Sequence, residues 1–224
     1  MSIMNKMKIW FISDTHCLHD YLMIPELGID VVIHCGDEAN KSDPVLNEIE
    51  SRKFFEWYRY LPILHKIFVP GNHSTAIQAG LIRPEEYPEI KFLIHEETVI
   101  DGIRIFGTPY TPTYGTSWAY MKKRNRMDLV WQSVPECDIL VTHGPPKGIL
   151  DLTINKKNKL AQVGCKSLYN RVMQIQPKIH AFGHVHDEGK HNYGIYQWFN
   201  TDFINCACWD HKKTKFYNGI LRSI

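Results

Sequence analysis

The stretch "IHAFGHVHDEG", Ile179 to Gly189, decides how the rest of the chain is read. A short apolar run ends at a glycine, and two histidines, His184 and His186, follow one residue apart. On extended backbone, positions i and i+2 face the same side, about 6.6 Å apart at ~3.3 Å per residue. Two such imidazoles can grip one ion or reach two neighbouring ions; they can also simply cap a strand. Their meaning depends on whether other parts of the chain repeat the arrangement.

Four other segments do so. "KIWFIS" is followed by Asp14 and His16, and "DVVIHC" by a Gly-Asp pair containing Asp37. "HKIFVP" is followed by Asn72 and His73, and "CDILVT" by His143. Short runs rich in Ile, Val and Phe that end in such residues read as buried strands. In open α/β sheets, ligands bind beyond the carboxyl ends of the strands. Five polar clusters, distant in sequence, are therefore expected to converge on one edge. His34 and His180 lie inside the runs and read as strand histidines rather than ligands.

The connecting segments fit an α/β chain. In "SDPVLNEIESRKFFEWYRYL", Asp43 is a candidate N-cap and Pro44 sits in the first turn. Leu46, Phe54, Trp57, Tyr58 and Leu61 fall on one helical face, and Pro62 stops the helix. "SWAYMKKRNRMDLVW" and "CKSLYNRVMQI" read as two further helices. "KFLIHEETVIDGIRIFGTPY" reads as strands turning at Asp101-Gly102, and "YGIYQWFNTDFINCACWD" as two more. With no repeat, low-complexity tract or linker, residues 1–224 are expected to form one domain.

Composition bounds the function. The 224 residues are 44% hydrophobic and 22% charged, with a net charge of +2, which suits a globular chain and points neither toward nor away from nucleic acid. The basic clusters at Lys122–Arg124 and Lys156–Lys157 read as solvated faces, so a nucleic-acid partner is disfavoured. No apolar stretch is long enough to span a bilayer, and "MSIMNKMKIW" lacks a signal-peptide core. A cytoplasmic location is expected. The six cysteines include no C-x-x-C, which argues against a thiolate zinc site. Tyr110, Tyr114 and Trp118 read equally as cleft borders and as packing residues.

Asp14, His16, Asp37, Asn72, His143, His184 and His186 make seven candidate ligands, too many for one ion and enough for two that share a bridging Asp37. Imidazole, carboxylate and amide oxygen together suit Mn, Fe, Zn, Ni or Co. A pair of such ions suits in-line displacement at phosphorus, with a bridging hydroxide as the attacking group. His73, left over beside Asn72, could protonate a leaving oxygen, because imidazole titrates near neutrality.

The ordered series "DTH", "GD", "GNH", "THG" and "GHVH" resembles the calcineurin-like metallophosphoesterase family. "VTHGPPKGILDL", "VGC", "QPKIHAFGHVHDEG", "GTPYTP" and "FINCA" further resemble its brain-type, metallophosphoesterase domain-containing phosphodiesterases. The resemblance implies a four-layer αββα sandwich of two mixed sheets flanked by helices. It implies one ion on Asp14, His16, Asp37 and His186, and another on Asp37, Asn72, His143 and His184, with His73 as the catalytic histidine. It also implies a metal-dependent phosphodiesterase acting on a small-molecule phosphate ester or diester, with Mn as the leading metal. A phosphomonoesterase, a nuclease, or a metal-bearing scaffold with little catalysis are the alternatives. Ser74 stands where the family has an acid that orients the histidine.

Overall fold

The computed structural model describes residues 6–155, 157–210 and 212–224. The N-terminal stretch before Lys6, Lys156 of the Lys156–Lys157 pair, and His211 lie outside the described residues. In chain order the elements are β1 (Lys8–Ile12), β2 (Val31–His34), α1 (Pro44–Arg59), β3 (His65–Phe68), α2 (Thr75–Gln78), β4 (Ile90–Phe92), β5 (Glu96–Ile100), β6 (Ile103–Thr108), β7 (Thr111–Pro112) and β8 (Met121–Lys122). There follow α3 (Met127–Gln132), β9 (Ile139–Thr142), β10 (Leu152–Ile154), β11 (Leu160–Gln162), α4 (Lys166–Ile175), β12 (Ile179–Phe182), β13 (Gly194–Trp198), β14 (Thr201–Asn205) and β15 (Ile220–Ser223).

Two large mixed sheets result, ordered β15-β1-β2-β3-β4 and β13-β14-β12-β9-β6-β5. β1 to β4 run parallel, as do β6, β9, β12 and β14; β15, β5 and β13 are antiparallel edges. Side chains alternate along a strand, and here both faces are covered, which is why the runs are apolar throughout. Ile9, Phe11 and Ile33 point into a core shared with Ile139, Val141 and Ile179 of the second sheet. Their neighbours Trp10, Ile12 and Val32 face Phe54, Phe55 and Tyr58 of α1. On the far side, Leu140, Phe182 and Phe203 pack on Trp131 of α3 and on Leu168 and Val172 of α4. The layers are helix, sheet, sheet, helix. An isolated parallel bridge between Ser13 and Ala207 stitches the two sheets together just beyond β1.

Asp43 caps α1, its Oδ1 accepting from the backbone of Val45 and Leu46. The buried face of α1 differs from the expected one. Leu46 is 50% exposed and Asn47 and Ser51 are buried at that end, whereas Phe54 and Tyr58 are buried as expected, together with Phe55. The first turns of α1 lie over polar loops: Asn47 Nδ2 donates to the His73 carbonyl and Ser51 Oγ to Glu38. Buried hydrogen-bonded polar groups replace the apolar stripe there.

The helix expected over "SWAYMKKRNRMDLVW" forms only at its end, as a 3₁₀ turn at Arg124–Arg126 and then α3. Ser117 and Tyr120 have positive φ (67° and 52°), incompatible with a helix. The Ala119 amide donates instead to the Asn72 carbonyl at 2.8 Å, tying this segment to a loop at the sheet edge. The β10–β11 hairpin and β15 were not expected; their strands are short and carry little alternation.

His180 in β12 is fully buried beside Phe182 and Phe203. Its Nε2 meets Thr142 Oγ1 at 2.9 Å, while Nδ1 has no partner. Burial pulls its pKa down to about 3, so it folds neutral. The unfolded chain then binds a proton that the folded chain refuses, and stability present above pH ~6.5 is lost as pH falls toward 3. The residue alone accounts for up to about 1.4 kcal/mol per pH unit. His180→Phe is expected to flatten the decline in urea-unfolding free energy between pH 6 and 5 by about that amount. Identical slopes in the two proteins would contradict a neutral, buried His180.

Candidate metal centre

The polar clusters emerge from the carboxyl ends of parallel strands. Asp14 and His16 follow β1, Asp37 follows β2, Asn72 and His73 follow β3, His143 follows β9, and His184 and His186 follow β12. Asp14, His16, Asp37 and His184 have left-handed φ values of 53°, 45°, 62° and 66°. Asp and His tolerate this region better than most residues. Such bends concentrate where a side chain must be aimed.

The aimed side chains form three overlapping groups: Asp14 with His16 and His186, Asp37 with His143 and His184, and His16 with Asp37 and His73. In each group the potential ligand atoms lie within 4.8 Å of one another. Asn72 joins the second group, its Oδ1 2.9 Å from His143 Nε2. All seven sequence-derived candidates are therefore brought together, and all but His184 and His186 are buried. His73 was expected near the metals without necessarily binding them, and it falls in one group with His16 and Asp37.

Backbone carbonyls select the tautomers. The Ala39 carbonyl accepts from His16 Nδ1 at 3.0 Å, that of Cys35 from His143 Nδ1 at 2.8 Å, and that of Asn40 from His73 Nδ1 at 2.9 Å. A carbonyl only accepts, so each Nδ1 carries the hydrogen and each Nε2 is left to face the centre. Glycines provide the close approach. A Cβ on Gly36 or Gly71 would collide with His143, and one on Gly183 with Asp14 Oδ2 and Ser13 Oγ. The glycines of "GD", "GNH" and "GH" are thus steric requirements of the site.

The electrostatics call for a cation. Asp14 Oδ2 accepts from Ser13 Oγ and the His184 amide, but its buried Oδ1 makes no hydrogen bond. His16 Nε2 and His186 Nε2 face each other at 3.3 Å, and Asp14 Oδ1 is 3.3 Å from His186 Nε2. Lone pairs and carboxylate oxygens converge, as a divalent ion requires. Without an ion, histidine supplies the charge. Burial opposes protonation of His143, but Asp37 at 3.2 Å and Asp14 outweigh it and carry its pKa up to about 9. Burial would raise the Asp37 carboxyl, yet His143 and His73 hold it well below the usual carboxylate range. Burial also pulls His16 down to about 4 and His184 to about 3.

Several further residues support the site. Ser74, in place of an acid, accepts from the Gly71 amide and donates to buried Glu38 at 2.7 Å. His73 is oriented instead by the Asn40 carbonyl and by Trp118, whose ring centroid is 4.0 Å away. Tyr114 lies beside His184, whereas Tyr110 packs away from the centre against His95 and Lys122. His34 is a strut, as its place in a strand suggested: Nδ1 accepts from Gly36, leaving Nε2 to donate to Thr15 Oγ1 at 3.1 Å. Glu38 and Asn40, in the loop after Asp37, were not singled out from sequence, because a backbone carbonyl and a buried acid that accepts from hydroxyls leave no mark in a residue pattern.

Comparison with known proteins agrees with this geometry. Residues 7–188 match the family model described as calcineurin-like phosphoesterase. Metallophosphoesterase domain-containing protein 1 of Homo sapiens is 34% identical over 88% of this chain and 64% of its own length. UPF0046 protein C25E10.12 of Caenorhabditis elegans is 32% identical over 98% of this chain and 82% of its own. The chain thus spans just under two thirds of the human relative. Among solved structures, TT1561 of Thermus thermophilus shares the fold with a TM-score of 0.56 at 13% identity, covering 90% of this chain and 89% of that one. The chain belongs to the calcineurin-like phosphoesterase family, whose members depend on divalent metal.

Two measurements test the centre. Because His143 holds its proton to about pH 9, Mn²⁺ loading at pH 7.5 is expected to release about one proton from it. Affinity should rise with pH and level off near 9; calorimetry in buffers of different ionisation heat reads both. Loading without proton release would contradict the tautomer and charge assigned to His143. Gly183→Ala, which pushes Asp14 out of place, is expected to weaken Mn²⁺ binding roughly 10–100-fold. Unchanged affinity would mean that Asp14 is not a ligand.

Proposed function

We propose that this chain is a di-metal phosphodiesterase, with Asp14, His16, Asp37 and His186 holding one ion and Asp37, Asn72, His143 and His184 the other. The observation that carries the reading is the set of three ligand groups overlapping at Asp37 and His16. One group would make a single mononuclear site; overlapping groups suit two ions with a shared carboxylate. The nitrogen and oxygen donors favour Mn, with Fe, Zn, Ni or Co as substitutes. Two such ions, when bound, supply the positive charge that activates water and neutralises the phosphoryl oxygens.

The protein's own groups do the rest. Asp37 is fixed by the His73 amide, which donates to Oδ1 at 2.7 Å and leaves Oδ2 toward the centre. His73 carries its hydrogen on Nδ1, so a proton taken up on Nε2 can pass to a leaving oxygen. Trp118 on its ring limits rotation. A cavity of about 510 Å³ opens from His73, His184 and His186. That is within the range of pockets for drug-sized ligands, and its room for a second ester substituent supports a diester over a monoester. Six unpaired cysteines suit a reducing, cytoplasmic setting. No helix among the described residues is long and apolar enough to cross a membrane.

The test is hydrolysis of bis(4-nitrophenyl) phosphate with Mn²⁺, expected to vanish in excess chelator and return on adding metal. Turnover undiminished by chelator would exclude the reading. For His73 the leaving group discriminates. Nitrophenolate departs without a proton, whereas a ribose alkoxide needs one. His73→Ala is expected to lower hydrolysis of a dinucleotide diester about 10²–10⁴-fold and of the nitrophenyl diester much less. Equal losses on both would assign His73 to positioning the phosphoryl group.

A further inference from the structure

The cavity beside the candidate metal centre is lined by two kinds of polar group. One is the candidate ligands His16, Asp37, Asn72, His184 and His186, with Asp37 the sole carboxylate among the described lining residues. The other is cationic, Arg124 and Lys213, and Tyr114, Pro145 and Val163 add apolar wall. We infer that this cavity selects a phosphate ester whose apolar or aromatic body carries a second anionic group, and that Arg124 binds that group. The inference rests on the phosphodiesterase reading and adds a substrate class to it.

Arg124, like Arg171, is held by carbonyl oxygens, and of the two only Arg124 lines this cavity. Arg52, Arg59, Arg83, Arg104 and Arg222 each pair with an acid, whereas Arg124 contacts only carbonyls, with Nη1 3.1 Å from Gly164 O and Nη2 3.2 Å from Val163 O. Those contacts fix the guanidinium without neutralising it. The wall that holds it is itself rigid. Asp151 Oδ2 accepts from both Gly148 and Gly164 amides at 2.9 Å, and Pro146 and Cys165 form an isolated bridge. A Cβ on Gly164 would strike the Pro146 carbonyl, so the approach depends on glycine. A guanidinium has five N–H donors in a planar fork. Two carbonyl contacts leave donors for a carboxylate or phosphate. A cation held in place beforehand loses little freedom on binding, which favours recognition over a flexible surface charge. Lys213, which lines the same cavity, adds to the positive field.

A matched pair of esters tests this: 4-nitrophenyl phenyl phosphate and 4-nitrophenyl 4-carboxyphenyl phosphate. In each, water adds at phosphorus and the P–O bond to 4-nitrophenolate breaks, so the leaving group is the same and only the retained ring differs in charge. With Mn²⁺-loaded protein, kcat/KM is expected to favour the carboxyphenyl ester about tenfold, through KM, as a charge-assisted hydrogen bond would give. Because Arg124 is exposed, the preference should shrink as salt is raised. Arg124→Gln should raise KM for the charged ester about tenfold and for the neutral ester less than about twofold, and Arg124→Lys should retain part of the preference. Metal content measured on each variant separates loss of the centre from loss of recognition. Turnover of both esters without preference in the wild type overturns the inference and leaves the phosphodiesterase reading standing. Equal losses on both esters in a fully metal-loaded Arg124→Gln also overturn it, by making Arg124 a brace for the Val163–Gly164 wall. Hydrolysis of neither ester by the metal-loaded wild type overturns the phosphodiesterase reading and this inference together.

Discussion

Two carboxylates, Asp14 and Asp37, are buried near each other at the mouth of the sheet sandwich, and the remaining site answers to that fact. Each raises the cost of charging the other, and burial raises it further. Such a pair persists only where positive charge stands between or around it. The surrounding imidazoles, His16, His73, His143, His184 and His186, are the means. His143, drawn up by Asp37 and Asp14, supplies positive charge, and the neutral ring nitrogens are candidate ligands for a cation. The carbonyls of Cys35, Ala39 and Asn40 fix which nitrogen faces inward. The glycines at 36, 71 and 183 let loops from separate strands approach closely enough for this to happen.

The sandwich supplies the rigidity. Apolar side chains on both faces of β1, β2, β9 and β12 are almost fully buried, and roughly 1.5–3 kcal/mol accompanies each large one withdrawn from water. That driving force offsets the left-handed backbone at the candidate ligands and the cost of hiding charge. It also explains why the polar residues cluster at one end. Within the strands the few polar side chains, such as His34, Thr142 and His180, are buried and hydrogen-bonded to one another or to nearby loops, and the parallel strands place their carboxyl ends side by side.

Much of this was legible in the chain. The five apolar runs were recognisable because both faces of their strands are buried, and the residues after them because few other patterns put Asp, Asn and His at strand ends. The Asp43 cap and the Asp101-Gly102 turn have local chemical signatures that tertiary contacts did not override. The start of α1 and the segment around Trp118 were misread for one shared reason: both are drawn onto the site loops. Asn47 and Ser51 serve those loops by hydrogen bonding, and Trp118 covers His73, so neither follows helical amphipathicity. The anchoring of Arg124 by two carbonyls was likewise invisible, since backbone partners carry no residue identity. Ser74 shows the same limit. Its acid counterpart is absent, but the work of orienting His73 has passed to the Asn40 carbonyl and Trp118, while Ser74 itself serves buried Glu38.

The central claim is that Asp37 is shared by two ions, and it is tested most directly by counting them. Equilibrium dialysis of wild-type protein and Asp37→Ala against Mn²⁺ near pH 8, followed by elemental analysis, gives ions per chain. About two are expected for the wild type and fewer than one for the variant, because removal of a shared ligand weakens both sites together. A variant that keeps one ion at wild-type affinity while losing the other would place Asp37 in a single site, and the account of a bridged centre would fail.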